Sequence, residues 1–277
     1  VDAATHAAVI FDHSGKSFRN DIYKDYKANR PPAPEDLVPQ FPLTRDATKA
    51  FNISCKEVEG FEADDIIATL ACRAREAGGR VTIISSDKDL MQLVGDGVEM
   101  FDAMKNRRIN RDAVIEKFGV NPELVVDVQA LAGDSVDNVP GAPGIGVKTA
   151  AELITVYGSL ENLLDKAHEI KQPKRRETLI NFEEQIRVSK QLVELDCSME
   201  LDFSIDELVV SPPQMDELVG FLQKMEFRTI LKRVSEQFDV ELAKLLPHKQ
   251  NFHEDSEENN YGPVTSSNYE TVRTVER

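Results

Sequence analysis

Apolar positions in the first hundred residues alternate between short strand-like runs and stripes at helical spacing. Ala7 to Phe11 is a compact apolar run ending at Asp12, and Arg80 to Ser85 and Val98 to Phe101 are further strand-like segments. Between them, Glu35 to Phe51 reads as mostly helical, led in by Pro31, Pro32 and Pro34 and interrupted by Pro39 and Pro42. Glu62 to Ala77 carries Ile66, Ile67, Leu70, Ala71 and Ala74 on one helical stripe and stops at Gly78 and Gly79. Leu90 to Val94 predicts one or two further helical turns. This strand, helix, strand rhythm predicts an α/β layer around a mainly parallel sheet.

After about Asn110 the pattern becomes helical throughout. Arg111 to Phe118, Pro122 to Ala132, Val147 to Tyr157, Leu160 to Lys166, Arg175 to Leu192 and Gln214 to Met225 all read as helices, several opened by Pro or closed by Gly. The expected organisation is an α/β core over residues 1–110, a helical subdomain over 111–247 and an acidic disordered linker from 248 to 277, where a further domain begins.

Composition narrows this picture modestly. Hydrophobic residues at 41% and charged residues at 30% describe a soluble globular chain, and no apolar run approaches the roughly 20 residues that span a bilayer. Without a basic leader and apolar segment ahead of the first strand, a cytoplasmic location is expected. Cys55, Cys72 and Cys197 are scattered and lack metal-ligand spacing, so each is expected to be an inert, buried thiol. His6 and His13 lie near Asp12 but are expected on the surface. A net charge of -16 argues against a nucleic-acid partner until its distribution is considered. The segment 248–277 sets three basic residues against six acidic ones, while Lys16, Arg19, Lys24, Lys27 and Arg30 form a locally basic stretch, with a second from Lys171 to Arg176.

The candidate chemistry lies in the acids. Asp12; Glu62, Asp64 and Asp65; Asp87 and Asp89; and Asp134 and Asp137 form four clusters. Asp12 and Asp87 each follow a strand-like run, where ligands bind in open parallel sheets. Glu62 and Asp65 sit three apart in a first helical turn, and Asp87 and Asp89 would share a side of an extended backbone. Converging carboxylates repel one another, and bound divalent cations remove that cost while activating water for phosphodiester chemistry. Each cluster also has a plain structural reading: Glu62 to Asp65 as a helix-capping run, Asp87 to Asp89 as a solvated turn, and Gly133 to Asn138 as a turn between helices.

The clusters end just before Gly144, Ile145, Gly146, Val147, Lys148, Thr149 and Ala150. That run has the form of a helix-hairpin-helix turn, in which glycines let the backbone approach a phosphate and helix amides point at it. Such contact reads the nucleic-acid backbone rather than its sequence. A plain turn between two helices uses the same residues, whereas a Walker-type loop is excluded by spacing. Tyr26, Lys27 and Arg30 offer stacking and charge to a strand end.

Taken in order, these segments resemble a known family. Val9 to Asp12, Ser17 to Arg19 with Tyr26 to Arg30, Gly60 to Asp65, Ser86 to Leu90 and Gly133 to Gly141 are similar to successive motifs of the 5′ nuclease domain of bacterial DNA polymerase I, kin to the flap endonucleases. The resemblance runs from Ala7 to about Val234. It implies a PIN-like, mainly parallel α/β core followed by an all-helical helix-hairpin-helix subdomain, acting on 5′ ends and 5′ flaps of DNA in primer removal, nick translation and repair. By resemblance, Asp12, Glu62, Asp64, Asp87, Asp89 and Asp137 would hold or surround two Mg²⁺ or Mn²⁺ ions, with Asp65 and Asp134 as supporting acids. Asp12 and Asp87 would be catalytic, together with Lys27 and Arg30 at the scissile phosphate. Tyr26 would add a DNA contact, and Gly144, Gly146, Lys148 and Thr149 would meet the duplex, with K⁺ in the turn. A proofreading-like domain and a polymerase would follow in the intact protein.

The family opens with a strand ending in an Asp, and Ala7 to Asp12 corresponds to its second motif. A sheet gap, a weakened cation site and impaired activity of this chain are therefore expected. The reaction implied is in-line attack of an activated water without a covalent enzyme intermediate, since no Ser-His or Cys-His pairing is recognisable. Two other classes stay open from the residues alone: a non-catalytic DNA-binding module, and a phosphatase using Asp87 and Asp89.

Overall fold

The structure is a computed structural model and describes residues 4–239. The expected linker at 248–277 lies outside the described residues. The chain divides into two compact units, the first reaching Phe221 and the second beginning at Leu222.

In the first unit, β1 (Ala8–Ile10) pairs in parallel with β2 (Ser54–Lys56), Val9 opposite Cys55. The connection between them carries α1 (Arg19–Ile22), a 3-10 turn at Val38–Gln40 and α2 (Phe41–Ala50). Pro42 falls at the second position of α2, where a missing N–H costs nothing, so the expected interruption becomes a helix start. α3 (Ala63–Glu76) follows, then β3 (Val81–Ile84), which pairs in parallel with β4 (Val98–Asp102). β5 (Arg107–Ile109) adds an antiparallel edge to β4. Two of the three pairings are parallel, so the α/β expectation holds. β2 and β5 escape a sequence reading because Ser-Cys-Lys and Arg-Arg-Ile have no apolar alternation. Pairing, not side-chain pattern, makes them strands.

Among the described residues the sheet is in two pieces, β1 with β2 and β3 with β4 and β5. Ile84 on β3 is 59% exposed. α3 docks beside them, burying Ile66, Ala68, Ala71 and Cys72. Ile66 is fully buried, which contributes about 2 kcal/mol.

The helical part comprises α4 (Arg111–Phe118), α5 (Val125–Ala132), α6 (Val147–Tyr157), α7 (Leu160–Asp165), α8 (Pro173–Asn181), α9 (Glu183–Val193) and α10 (Met215–Lys224). α5 is apolar nearly all round, as a helix covered on most sides must be, and packs between α6 and α9. Its Asp127 accepts the Leu160 amide at 2.9 Å and pairs with Lys190 at 2.9 Å, fastening α7 and α9 to it. The single helix expected from Arg175 to Leu192 is two helices. Phe182 leaves helical geometry at φ -113 and ψ 18, while Leu179 and Ile186 on either side are both fully buried. No Gly or Pro marks the break, so the sequence concealed it. The second unit contains α11 (Arg228–Phe238), a helix absent from the sequence expectation.

Candidate active site

Four segments bring carboxylates to one cleft. Asp12 follows β1, and its Oδ1 accepts the Ala63 amide at 2.7 Å, so it anchors the start of α3. Glu62 is the extended residue before α3, and Asp64 lies in the first turn. Asp87 and Asp89 follow β3. They do not share an extended strand as expected: Asp87 Oδ1 accepts the Asp89 amide at 3.0 Å and closes a turn, with Asp89 starting the next 3-10 helix. Asp134 and Asp137 sit on the loop between α5 and α6, a small hairpin closed by an Asp134 to Val139 bridge.

That loop is pinched by two glycines. Gly133 and Gly141 have φ +69 and +58, and a Cβ on Gly133 would stand 2.6 Å from Val139 O. Any side chain there would push the acids out of register.

Crowding is visible in the protonation of the acids. Asp64 is pushed up to about 7, first by burial and then by the charges of Asp87, Asp89, Glu62 and Asp12. Asp89 is pushed up to about 6 by burial and by Asp87, although the Gln129 amide, 2.5 Å away, opposes the rise. Burial also pushes Asp134 upward, but the hydrogen bond from Lys88 at 2.6 Å and the Val136 amide outweigh it and hold it below the usual range.

Cations pair directly with several of these acids. Lys27 Nζ is 2.9 Å from Glu62 and 3.8 Å from Asp137, and Arg30 donates to Asp137. The Tyr26 hydroxyl donates to Glu62 at 3.2 Å and lies 3.5 Å from Asp137. Burial, then the charge of Glu62, keeps it firmly protonated. Beside these groups lies a small cleft lined by Arg19, Tyr26, Glu62, Asp64, Asp89, Asp134 and Asp137.

Among the described residues no three Asp, Glu, His or Cys side chains form a preassembled ligand set. Oxygen donors arriving from several segments nonetheless suit a hard divalent ion that keeps part of its water shell and takes only one or two carboxylates. The raised Asp64 and Asp89 mark where such a charge relieves repulsion. Asp12, Glu62, Asp64, Asp87 and Asp89 are the residues that fit it.

Two expectations are narrowed. Asp65 supports the acid pocket from behind rather than lining it: its Oδ1 accepts from Arg19 and the Asp196 amide, and its Oδ2 from Arg19 and the Glu62 amide. With every acceptor direction taken it has nothing left for a cation. Tyr26 is 5% exposed and packed in the main core, so its ring presents little face for stacking, and its hydroxyl meets Glu62 and Asp137. Among the thiols, Cys72 is buried and Cys55 half-buried, but Cys197 is exposed. His6 and His13 are exposed, as expected.

The hairpin residues are presented to solvent. Gly144, with φ +78, Gly146 and Lys148 are exposed where α6 begins, and a Cβ at either glycine would meet nothing. Arg19, Lys88 and Gln129 were missed as site residues. Gln129 carried one signal, a neutral polar side chain inside the otherwise apolar run of α5.

Comparison with known proteins agrees with this geometry. The model of the 5'-3' exonuclease N-terminal resolvase-like domain matches residues 2–119, and that of the 5'-3' exonuclease C-terminal SAM fold matches 120–216. DNA polymerase I of Rhizobium leguminosarum is 55% identical over 243 residues, covering 88% of this chain and 24% of that protein. A 5'-3' exonuclease of Aquifex aeolicus is 38% identical over 233 residues, covering 84% of this chain and 79% of that one. The chain thus spans about a quarter of the length of the polymerase relative. Among solved structures, the T5 5'-exonuclease with bound zinc is 25% identical with a TM-score of 0.64, covering 70% of this chain and 76% of that chain. A T5 flap endonuclease in a pseudo-enzyme-product complex with DNA and metal ions is 26% identical with a TM-score of 0.63, covering 70% and 75%. The α/β core with its acid cleft, the helical part with its hairpin turn and both family matches in that order make this chain a member of the 5'-3' exonuclease family.

Proposed function

We propose that this chain is the 5′ nuclease region of a bacterial, cytoplasmic DNA polymerase I, hydrolysing phosphodiester bonds at 5′ ends and 5′ flaps with Mg²⁺ or Mn²⁺, two ions per site. The observation that carries this reading is the convergence of Asp12, Glu62, Asp64, Asp87 and Asp89 beside Lys27 and Arg30, where loss of solvent and then the neighbouring acids push Asp64 up to about 7. When bound, the cations supply an acidified water and neutralise charge on the leaving oxygen. Asp12 and Asp87 stand exposed at the rim of the acid pocket, and Asp64 and Asp89 are half-buried within it. Lys27 and Arg30 are the charges placed to meet the scissile phosphate, turning from Glu62 and Asp137 to do so. Gly144, Gly146, Lys148 and Thr149 would hold the duplex backbone, with K⁺ as the ion suited to carbonyls in the turn.

A 5′-labelled flap on a nicked duplex, incubated with the purified chain and Mg²⁺, should release the flap as one fragment. Asp87→Asn should abolish release while leaving duplex binding intact. Cleavage that persists in excess chelator, or that survives Asp87→Asn, would remove the reading.

A further inference from the structure

We propose that Arg19 and Asp65 act as a positioning pair for the nuclease reaction, a buried joint that sets the acids and Lys27 in register without touching DNA or a cation. The inference rests on the nuclease reading above. Asp65 is the one acid of the Glu62–Asp65 run that is fully buried.

Both side chains are sealed, Arg19 1% and Asp65 0% exposed. Arg19 NH1 donates to Asp65 Oδ2 at 2.6 Å and NH2 to Oδ1 at 2.8 Å, a two-pronged pairing. Its Nε donates to Leu192 O at 2.7 Å and NH2 also to Glu194 O at 3.1 Å. NH1 lies 3.7 Å from Glu62 Oε2 as well. Four of its five N–H groups are engaged and the side chain is almost fully covered, which leaves no open face for a phosphate.

The joint ties together the segment bearing Glu62 and Asp64, the stretch bearing Lys27 and Arg30, and the helix that holds the Asp134 and Asp137 loop. Asp65 belongs to the turn that bears Glu62 and Asp64, and its Oδ2 accepts the Glu62 amide at 3.3 Å. Arg19 opens the stretch leading to Tyr26, Lys27 and Arg30. The same stretch is held at Ser17, whose hydroxyl donates to Glu62 at 3.1 Å, and at Phe18, whose amide donates to Gly60 O at 2.9 Å. Leu192 and Glu194 close α9. Further up α9, Ser189 Oγ accepts the Gly141 amide at 3.0 Å and Gln185 donates to Gly141 O at 2.7 Å, so α9 also holds the Asp134 and Asp137 loop.

Stability alone is a poor reason for such a pair. A well-packed apolar replacement is often as stable as a buried ion pair, because the pair must repay the loss of water around both charges. Direction is what the ions add: a planar fork admits one relative placement of three segments, whereas apolar contacts tolerate sliding. A misplacement of 1 Å in a reacting geometry costs about 100-fold in rate.

The test compares wild type with Arg19→Lys and with the double variant Arg19→Met/Asp65→Leu, which leaves no unpaired buried charge. Melting temperature, Mn²⁺ binding by calorimetry without DNA, and kcat and KM on a 5′-flap substrate are measured for each. The double variant should stay folded, keep KM within about 3-fold, and lose about 30- to 100-fold in kcat with several-fold weaker Mn²⁺ binding. Arg19→Lys should fall between, since an ammonium cannot serve both oxygens and both carbonyls. A folded double variant with unchanged kcat and Mn²⁺ affinity overturns the proposal, and so does a loss confined to KM, which would make Arg19 a DNA contact. If the double variant does not fold, Arg19→Lys decides by the same two readouts. Wild type that binds Mn²⁺ but cleaves nothing would refute the nuclease reading instead, and Mn²⁺ affinity would still judge the pair.

Discussion

Raising the pH without divalent cations should destabilise this protein, and Asp64 sets how much. Its carboxyl stands near 7 rather than the ordinary 3.8, first because it is buried and then because Asp87, Asp89, Glu62 and Asp12 surround it. The folded state therefore holds the proton more tightly than the unfolded state. The stability this contributes is fully present below pH 3.8 and is lost as pH rises to about 7. One proton is worth about 1.4 kcal/mol per pH unit inside that window, so moving from pH 5 to pH 8 should cost about 3 kcal/mol. Asp89, raised to about 6, pulls the same way. Urea denaturation at pH 5 and pH 8 in chelator measures the loss. Added Mg²⁺ should restore most of it at pH 8, and Asp64→Asn should flatten the slope between the two pH values. A slope unaffected by Asp64→Asn, or stability that rises with pH across this window in chelator, would refute the crowded-acid account.

Gly141→Ala should lower the melting temperature by about 6–12 °C: φ +58 costs a side chain about 1–2 kcal/mol, and the new Cβ would lie 2.7 Å from Gly133 Cα. Gly15→Ala, with nothing within 4 Å, should change it little and serves as the control. Lys88→Met should leave the Asp134 carboxylate without its 2.6 Å partner and cost about 1–3 kcal/mol near pH 7. Because Asp134 is held below the usual carboxylate range, its stabilisation is present above that range and fades as pH falls, so the two proteins should converge in acid denaturation. Lys148→Glu, at an exposed position, should weaken duplex binding for all sequences alike and reduce the slope of log K against log salt by about 1, read by fluorescence anisotropy.

Much of the site could be read from the chain because its chemistry is local. Asp12 closes an apolar run, Asp87 and Asp89 follow another, and Gly144 to Lys148 opens a helix; each signal lies within ten residues of its own cause. α3 and α5 were legible for the same reason, since their apolar stripes are continuous. The kink at Phe182 was not, because Leu179 and Ile186 keep helical spacing across it. β2 and β5 were hidden in polar triplets whose only strand signal is the partner they pair with.

What tertiary structure alone decided is the division of labour among acids and cations that look alike in sequence. Asp64 and Asp65 are neighbours, yet helix geometry turns Asp64 toward Asp87 and Asp89 and Asp65 onto Arg19, so one becomes a proton-holding acid of the pocket and the other half of a buried pair. Arg19 and Lys27 belong to one basic stretch, yet only Lys27 faces the cleft acids with room to leave them. Residue type set the available chemistry. Which charges meet, across 46 residues for Arg19 and Asp65 and 107 for Arg30 and Asp137, is fixed only when the packed core brings distant segments together.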